Sequence, residues 1–273
     1  IIERSAFILS NQTESEKIDK MQVLDKANQL SAQGLRVLAF ARKKVPATTK
    51  HIRHEDIQSD LEFIGLQAMI DPPRPEAIKA VQISQKAGIE VKMITGDHIL
   101  TAREIGRQIG LNQKQPKEGY KSAYTGQELA TLSDAEFITV AEEASVFARV
   151  TPEQKLRLVE ALQTKMQVVA MTGDGVNDAP ALKRADIGVA MGINGTEVSK
   201  EASDMVLTDD NFASIEAAVE EGRGVFDNLT KFIAWTLPTN LGEGLVILAA
   251  VFTGAMLPIL PLHILWINMT TAI

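Results

Sequence analysis

Two stretches of the sequence share a pattern that could bind phosphate. Residues 91–97 and 168–174 are each an apolar run that ends in Thr-Gly-Asp. Glycine lets the backbone approach a ligand closely, and the threonine hydroxyl and the backbone amides can donate hydrogen bonds to phosphate oxygens. Gly and Asp are also common in ordinary turns between a strand and a helix. Taken alone, one Thr-Gly-Asp is more typical of such a turn than of a binding site.

The second stretch continues into a possible metal site. It reads Asp-Gly-Val-Asn-Asp over residues 174–178, which places two carboxylates four residues apart, between a predicted strand and a predicted helix. Mg²⁺ prefers oxygen ligands and takes one or two carboxylates together with waters and a phosphate. In an ordinary turn, Asp178 would instead cap the helix and Asp174 would belong to the loop. The length of the whole run favours the metal site.

A lysine occupies a position that helix electrostatics disfavour. Residues 151–154, Thr-Pro-Glu-Gln, form a capping box with proline in the first helical position, so a helix is expected to begin there. Lys155 then falls in the first turn, where the helix dipole opposes a positive charge. A solvated surface lysine would cost little. A lysine beside a phosphate or a carboxylate agrees better with the neighbouring motifs.

The elements that must position these side chains alternate along the chain. Helices are predicted at 76–87, 98–109, 152–162 and 179–184, strands at 89–94, 145–148, 168–171 and 187–190, and an irregular segment at 112–126. Alternation of this kind is typical of a Rossmann-like parallel sheet covered by helices, and ligands gather at the carboxyl ends of its strands. The predicted fold class is therefore α/β.

The first 70 residues form a region of different pattern. A helix over 18–30, closed by Gly34, is followed by strands over 35–41 and 61–70. Arg36 stands alone in the first of these strands, as expected of an edge-strand arginine that reaches water. Three prolines between residues 72 and 75 then stiffen the chain and remove hydrogen-bond donors, which predicts a hinge or a domain boundary.

The last 42 residues have the composition of a membrane segment. After Lys231 there is no Lys, Arg or Asp, and Glu243 is the only acid. One long helix is expected to continue into an apolar span at 232–252, since about 20 residues cross a bilayer. A second apolar helix begins near residue 262. Arg223 and Lys231 precede the span, so the positive-inside rule places the α/β part in the cytoplasm.

Polar residues within the apolar span suggest a transport role. Pro238 cannot donate a hydrogen bond to the carbonyl of Ala234, and we expect Pro238, Asn240 and Glu243 to interrupt the helix. An acid in mid-bilayer costs roughly 2.5–3.5 kcal/mol, so Glu243 is a functional candidate. Broken helices expose carbonyls and carboxylates to ions in transporters. The alternative is that Glu243 pairs inside the protein.

Composition excludes several classes of protein. The chain has 273 residues, 45% hydrophobic and 23% charged, which is typical of a folded protein. Its net charge of −7 and pI near 5.3 argue against a nucleic-acid partner. The lack of cysteine excludes disulfides, thiol catalysis and thiolate metal sites. Because the chain starts without Met and ends in an apolar stretch, we expect a piece of a larger membrane protein.

Residues 172–180, Thr-Gly-Asp-Gly-Val-Asn-Asp-Ala-Pro, resemble a motif of the P-type cation-transporting ATPases, which are haloacid-dehalogenase-like phosphotransferases. The segments that match the family in order and spacing are 34–36, 71–74, 93–97 and 147–155. The resemblance implies the following domains: the end of a nucleotide-binding domain at 1–70, the C-terminal part of a phosphorylation domain at 71–220, and a stalk helix, one transmembrane helix and the start of a second at 221–273.

The resemblance also implies roles for individual residues. The implied catalytic residues are Thr95, Gly96, Asp97 and Lys155, of which Thr95 and Lys155 would hold the phosphoryl group. The implied ATP-binding residues are Arg36, Arg149 and Thr95. Asp174 would bind Mg²⁺, supported by Asn177 and Asp178. The transported cation would meet Asn240, Glu243, Asn268 and Thr271.

The activity that the resemblance implies is ATP-driven cation transport through an aspartyl phosphate. The family's nucleophile motif, Asp-Lys-Thr-Gly-Thr, is absent from this chain. The actuator domain and most membrane helices would be supplied by other parts of the same polypeptide, in the cell membrane. We therefore expect the isolated chain to be inactive.

The identity of the ion is open between Ca²⁺ and Na⁺. The polar residues of the apolar span resemble those of calcium pumps, which favours calcium. However, Ala272 stands where calcium pumps place an aspartate, and Ca²⁺ sites need several anionic oxygens.

Two other functions would explain parts of the sequence. A membrane-anchored phosphatase of the same superfamily would need an Asp-x-Asp nucleophile and no polar residues in its anchor. A non-catalytic nucleotide-binding module would leave Lys155, Asp174 and Asp178 without a role. The cation pump accounts for more of these residues than either alternative.

Overall fold

A computed structural model describes residues 1–10, 14–46, 51–69, 72–111 and 116–271. The chain divides into two compact units, Ile1–Ser214 and Ile215–Ile273. The first unit mixes helices with sheets, so the predicted α/β class is confirmed.

The N-terminal region of the first unit is a mixed sheet with one long helix. Its elements are β1 (Ser5–Ser10), β2 (Glu14–Lys17), α1 (Lys20–Ser31), β3 (Arg36–Arg42) and β4 (Leu61–Met69). The strand order is β2-β1-β4-β3, and only the β1–β4 pair is parallel. The Asp19 carboxylate caps α1 by accepting hydrogen bonds from the first turn, and Gly34 follows its end with a φ of +82°.

Two parallel sheets of three strands make up the rest of the first unit. One is β5 (Met93–Thr95), β6 (Ala123–Thr125) and β7 (Val146–Ala148), in the order β5-β7-β6. The other is β8 (Ala170–Gly173), β9 (Ile187–Met191) and β10 (Met205–Leu207), in the order β10-β9-β8. All pairs in both sheets are parallel. The parallel arrangement is confirmed, but it is divided between two sheets.

Helices follow most of the strands. They are α2 (Pro75–Lys86), α3 (Ile99–Gln108), α4 (Gly126–Ala130), α5 (Asp134–Glu143), α6 (Pro152–Thr164), α7 (Ala179–Arg184) and α8 (Glu197–Glu201). The predicted capping box at the start of α6 is present, with Thr151 and Gln154 each bonded to the other's backbone amide. Helices α2, α3, α6 and α7 lie within two residues of the predicted bounds.

Two predictions differ from the strands that the structure contains. The strand expected over 89–94 is reduced to Met93–Thr95, because only these residues pair with β7. The segment expected to be irregular, 112–126, contains β6 and the first residue of α4; residues 112–115 lie outside the described part. Both errors arise because a three-residue strand is defined by its partner more than by its own sequence.

The core of the first unit links the two parallel sheets. Phe137, Phe147 and Leu129 are at most 1% exposed and pack in one cluster. A second cluster joins Met171 of β8 to helices α6 and α7. Ile94 of β5 packs against both clusters, so β5 and β8 share a core although they do not pair.

The second unit contains two apolar helices, the first of which starts in the unit before it. They are α9 (Phe212–Thr253) and α10 (Pro261–Thr271). By length and composition, α9 could cross a membrane. The predicted interruption was wrong, because α9 stays helical through Pro238. A proline removes one backbone hydrogen bond, and the remaining hydrogen bonds of this 42-residue helix keep the segment helical.

Candidate phosphate and metal site

Hydrogen bonds bring three strand ends to one edge of the first unit. The Thr95 carbonyl, at the end of β5, accepts a hydrogen bond of 2.7 Å from the backbone amide of Arg149. Arg149 directly follows β7. Helix α6 begins shortly after Arg149. Nζ of its Lys155 lies 2.6 Å from Oδ1 of Asp178, which belongs to the loop after β8. The structure therefore connects the Thr95 turn to the residue after β7, and the start of α6 to the loop that carries Asp174 and Asp178.

The Lys155–Asp178 pair explains the unfavourable position of the lysine. Both side chains are largely buried, with 19% and 9% of their surface exposed. The other oxygen of Asp178 accepts hydrogen bonds from the backbone amides of Asp174, at 3.3 Å, and Gly175, at 3.1 Å. Of the two interpretations of Lys155, the one with a neighbouring carboxylate is confirmed. Asp178 thus organises the loop around Asp174.

Asp174 differs from Asp178 because, among the described residues, its carboxylate is free to bind a ligand. It is exposed, and its side chain forms no hydrogen bond or ion pair within the described residues. Asn177 is also exposed. No group of three His, Asp or Glu side chains that could hold a metal is found in the described part of the chain. One free carboxylate beside an exposed amide suits Mg²⁺, which completes its octahedron with waters and phosphate oxygens.

The two Thr-Gly-Asp stretches differ in their surroundings. A Cβ on Gly173 would lie 2.5 Å from Cβ of Asp178, whereas a Cβ on Gly96 would meet nothing within 4 Å. Gly173 is therefore required by packing under the Lys155–Asp178 pair. Gly96 is exposed, so packing sets no such requirement there.

Thr95 and Asp97 form a closed turn. The Thr95 hydroxyl donates a hydrogen bond to Oδ2 of Asp97 at 3.1 Å and accepts one from the Asp97 amide, also at 3.1 Å. His98 follows as the cap of α3, its Nδ1 accepting a hydrogen bond from the Leu100 amide. Burial, and then the positive charge of Arg149, hold the pKa of His98 below its ordinary value. Both effects favour the neutral imidazole.

Arg149 has an unusual backbone conformation. Its φ is +53°, in the region that favours glycine, and its carbonyl oxygen would lie 2.4 Å from a Cβ on Gly126. The Gly126 carbonyl in turn accepts a hydrogen bond from the Gln154 side chain at 2.7 Å. The close approach of the Arg149 carbonyl therefore requires glycine at position 126, and Gln154 fixes that glycine. Sequence analysis did not identify Gly126 as part of the site, and a lone glycine after a threonine gave no signal for it.

Arg36 belongs to the N-terminal sheet and not to these loops. It starts the edge strand β3, is exposed, and forms no hydrogen bond or ion pair within the described residues. The preceding carbonyl, of Leu35, accepts a hydrogen bond from Thr101 of α3 at 3.3 Å. This contact connects β3 to the helix that follows Asp97. The exposed edge position agrees with the simple interpretation of an arginine that reaches water.

The residues expected to bind a transported ion lie in the second unit. Asn240 and Glu243 are on α9, and Asn268 and Thr271 are on α10. One carboxyl oxygen of Glu243 is buried and has no hydrogen-bond partner within the described residues. Asn268 is half-buried, the side chain of Thr271 lies outside the described part, and so does Ala272. Buried carboxyl oxygens normally have a hydrogen-bond partner, so this oxygen of Glu243 is an exception within the described residues.

The sequence analysis missed two residues that donate hydrogen bonds to the backbone of Asp174. The Asp174 carbonyl accepts hydrogen bonds from the Thr196 amide at 2.9 Å and from the buried Ser199 hydroxyl at 3.1 Å. Thr196 also caps α8 by accepting a hydrogen bond from the Ser199 amide. A Thr followed three residues later by Ser could have indicated the cap, but not the contact with Asp174.

Comparison with known proteins gives the family. A family model described as haloacid dehalogenase-like hydrolase matches residues 8–186, and a second with the same description matches 155–219. The chain is 61% identical over 257 residues to "Probable cation-transporting ATPase F" of Mycobacterium tuberculosis, covering 94% of this chain and 28% of the relative.

Two further relatives carry similar names. Identity to "Cation-transporting ATPase pma1" of Synechocystis is 56% over 273 residues, all of this chain and 30% of the relative. Identity to "Calcium-transporting ATPase" of Bacillus subtilis is 48% over 242 residues, 89% of this chain and 26% of the relative. The chain thus spans less than a third of the length of these relatives. It belongs to the haloacid dehalogenase-like hydrolases, and its resemblance to P-type cation-transporting ATPases is confirmed.

Proposed function

We propose that this chain is part of an ATP-driven cation pump and contributes the phosphate- and Mg²⁺-binding side of its phosphorylation domain. The observation that carries this proposal is the Lys155–Asp178 ion pair, which joins the start of α6 to the loop after β8. Together with the Thr95–Arg149 hydrogen bond, it brings a hydroxyl, an ammonium and a free carboxylate to one edge of the fold.

Each residue at this edge has a proposed role. The Gly96 amide donates a hydrogen bond to the phosphoryl group. The Thr95 hydroxyl donates a second one after its proton turns away from Oδ2 of Asp97, while the Asp97 amide continues to hold the hydroxyl oxygen in place. Lys155 neutralises phosphoryl charge. Asp174 holds Mg²⁺, which would stabilise negative charge on the phosphoryl oxygens when bound. Arg149 and Arg36 contact ATP, and Asn177 and Asp178 support the metal loop.

We further propose that the phosphorylated aspartate lies on a strand outside this chain, between β5 and β8. Each of these strands is the end strand of its sheet, so each has one side without a partner within the described residues. Ile94 of β5 packs against the cluster that contains Met171 of β8, so the two open edges border the same core. A strand that ends between Thr95 and Asp174 would present its side chain to both loops.

The membrane part of the proposal concerns α9. A 42-residue helix of sufficient hydropathy supports an integral membrane protein, and Arg223 and Lys231 support a cytoplasmic α/β domain in the cell membrane. Asn240, Glu243, Asn268 and Thr271 are the proposed cation ligands, with Ca²⁺ preferred to Na⁺. The oxygen of Glu243 that is unpaired within the described residues supports a cation ligand at that position, and the name of the Bacillus relative supports Ca²⁺. The actuator domain, the remaining membrane helices and the lipid bilayer would complete the pump; no nucleic acid is involved.

The proposal is tested on the full-length parent protein in membranes. ATP-dependent formation of a hydroxylamine-sensitive phosphoenzyme is measured with Ca²⁺, Na⁺, K⁺ or no added cation. Labelling that requires one cation supports a pump and identifies its cargo. Labelling that is equal with each cation and without added cation favours a phosphatase-like enzyme. The absence of labelling in every condition favours a nucleotide-binding module. The isolated 273-residue chain is expected to stay unlabelled in all four conditions.

A further inference from the structure

A loop beyond the predicted motifs connects a distant carboxylate to the metal loop. This loop, residues 192–196, follows β9, and we call it the bracing loop. At its start, the Asp210 carboxylate accepts hydrogen bonds from the backbone amides of Ile193, at 2.9 Å, and Asn194, at 2.8 Å. The side-chain amide of Asn194 donates a third, at 2.8 Å. These hydrogen bonds, led by that from the Ile193 amide, lower the pKa of Asp210, which is therefore a carboxylate at neutral pH.

At its end, the bracing loop contacts the backbone of the proposed metal ligand. The Thr196 amide donates a hydrogen bond to the carbonyl of Asp174, and the Ser199 hydroxyl donates another to the same oxygen. Ser199 is fully buried. The Ser199 hydroxyl has one proton, which it shares between the Asp174 carbonyl at 3.1 Å and the Thr196 carbonyl at 2.7 Å. Thr196 and Ser199 together restrain the peptide group that follows the Asp174 Cα.

The bracing loop is also too tightly packed to shift freely. A Cβ on Gly195 would lie 1.9 Å from the Met191 carbonyl oxygen, and one on Gly192 would lie 2.5 Å from that of Leu207. The Gly192 amide donates a hydrogen bond to the Leu207 carbonyl at 2.8 Å. The two glycines therefore pack directly against backbone carbonyls, and Gly195 lies between the Asp210 contacts and Thr196.

We propose that Asp210 is a positioning residue for Mg²⁺ binding, acting on Asp174 through the bracing loop. This inference rests on the proposed role of Asp174 as the Mg²⁺ ligand. The Asp174 carboxylate forms no hydrogen bond within the described residues, so the hydrogen bonds that restrain this residue are those of its backbone. Groups that orient a metal ligand typically change metal affinity about 10–100-fold when they are removed.

The adjacent carboxylate provides a matched control. Asp209 accepts hydrogen bonds from the Ser214 hydroxyl, at 2.6 Å, and the Asn211 amide, at 3.1 Å. Both partners lie at the start of α9, and neither belongs to the bracing loop. Asp209→Asn therefore removes the same charge from the next position without loosening the contact with Asp174.

The test measures Mn²⁺ affinity, as a probe for Mg²⁺, on the full-length parent protein in detergent by electron paramagnetic resonance. The variants are Asp210→Asn, Asp209→Asn and Ser199→Ala, with Asp174→Asn to identify the site. We expect Asp210→Asn to weaken binding about tenfold and Ser199→Ala to weaken it in the same direction. Asp209→Asn is expected to bind as the unchanged chain does. Thermal unfolding without metal checks that each variant folds.

Three results would count against the inference in distinguishable ways. Equal affinities for Asp210→Asn and Asp209→Asn, at a site that Asp174→Asn removes, would overturn the positioning role alone. If Asp210→Asn does not fold, unchanged binding by Ser199→Ala would overturn it. Mn²⁺ binding that Asp174→Asn leaves unaffected would instead overturn the proposed Mg²⁺ site on which the inference rests.

Discussion

Lys155 and Asp178 form an ion pair, 2.6 Å from Nζ to Oδ1, that joins the first turn of α6 to the loop after β8. The lysine lies at the positive end of a helix dipole, so the helix itself opposes its charge. The buried Asp178 carboxylate offsets that cost and at the same time fixes the loop that carries Asp174. One contact therefore stabilises the fold and shapes the proposed site.

We expect Lys155→Met to destabilise the first unit by about 3 kcal/mol, because it leaves the charge of Asp178 buried without its cation. Lys165→Met is the control, since Lys165 forms a longer ion pair of 3.6 Å with Glu142, and both side chains are about a third exposed or more. Such pairs are worth about 0–1 kcal/mol. The measurement is denaturant unfolding followed by circular dichroism. Equal losses in the two variants would contradict the importance of the Lys155–Asp178 pair.

Gly173→Ala and Gly96→Ala are expected to differ although the two motifs look alike. The added methyl group would overlap Asp178 in the first case, at a cost of about 1–3 kcal/mol. In Gly96→Ala, the added methyl group would meet nothing within 4 Å. Thermal unfolding of both variants compares these effects directly. A Gly96→Ala variant that is as unstable as Gly173→Ala would show that the space around Gly96 is not as the structure has it.

The pKa of Glu104 provides a prediction about pH. Hydrogen bonds from Arg107 and Gln108 lower the pKa of Glu104 from 4.5 to about 2. Because the folded pKa is lower than the unfolded one, Glu104 stabilises the fold above pH 4.5, and this contribution is lost as the pH falls toward 2. Glu104→Gln should make the stability less dependent on pH in this range. A carboxyl carbon signal of Glu104 that titrates near pH 4.5 in NMR would refute the expected shift.

Glu243→Gln is expected to change how the full-length pump responds to its cation. Removing one anionic ligand from a site for a hard cation should raise the half-saturating concentration about tenfold or more. The readout is the cation dependence of phosphoenzyme formation, with Asp227→Asn on the same helix, outside the apolar span, as control. An unchanged cation dependence of Glu243→Gln would exclude Glu243 as a cation ligand.

Several features could be predicted from the sequence because their hydrogen bonds join residues a few positions apart. The capping box of Thr151 and Gln154 spans three residues, and Gly34 ends a helix through its own φ. The apolar stretch after Lys231 likewise needs no partner to be recognised. The unfavourable position of Lys155, taken with the neighbouring motifs, favoured a phosphate or a carboxylate beside it.

Other features were decided only by the tertiary structure. The three residues of β5 form a strand because β7 lies beside them, and Gly173 differs from Gly96 only because Asp178 packs against it. Asp210 contacts a loop 16 residues earlier in the chain. Local patterns fix caps, turns and apolar faces through nearby backbone groups. Contacts between distant residues depend on how all the elements pack, and no local pattern contains that information.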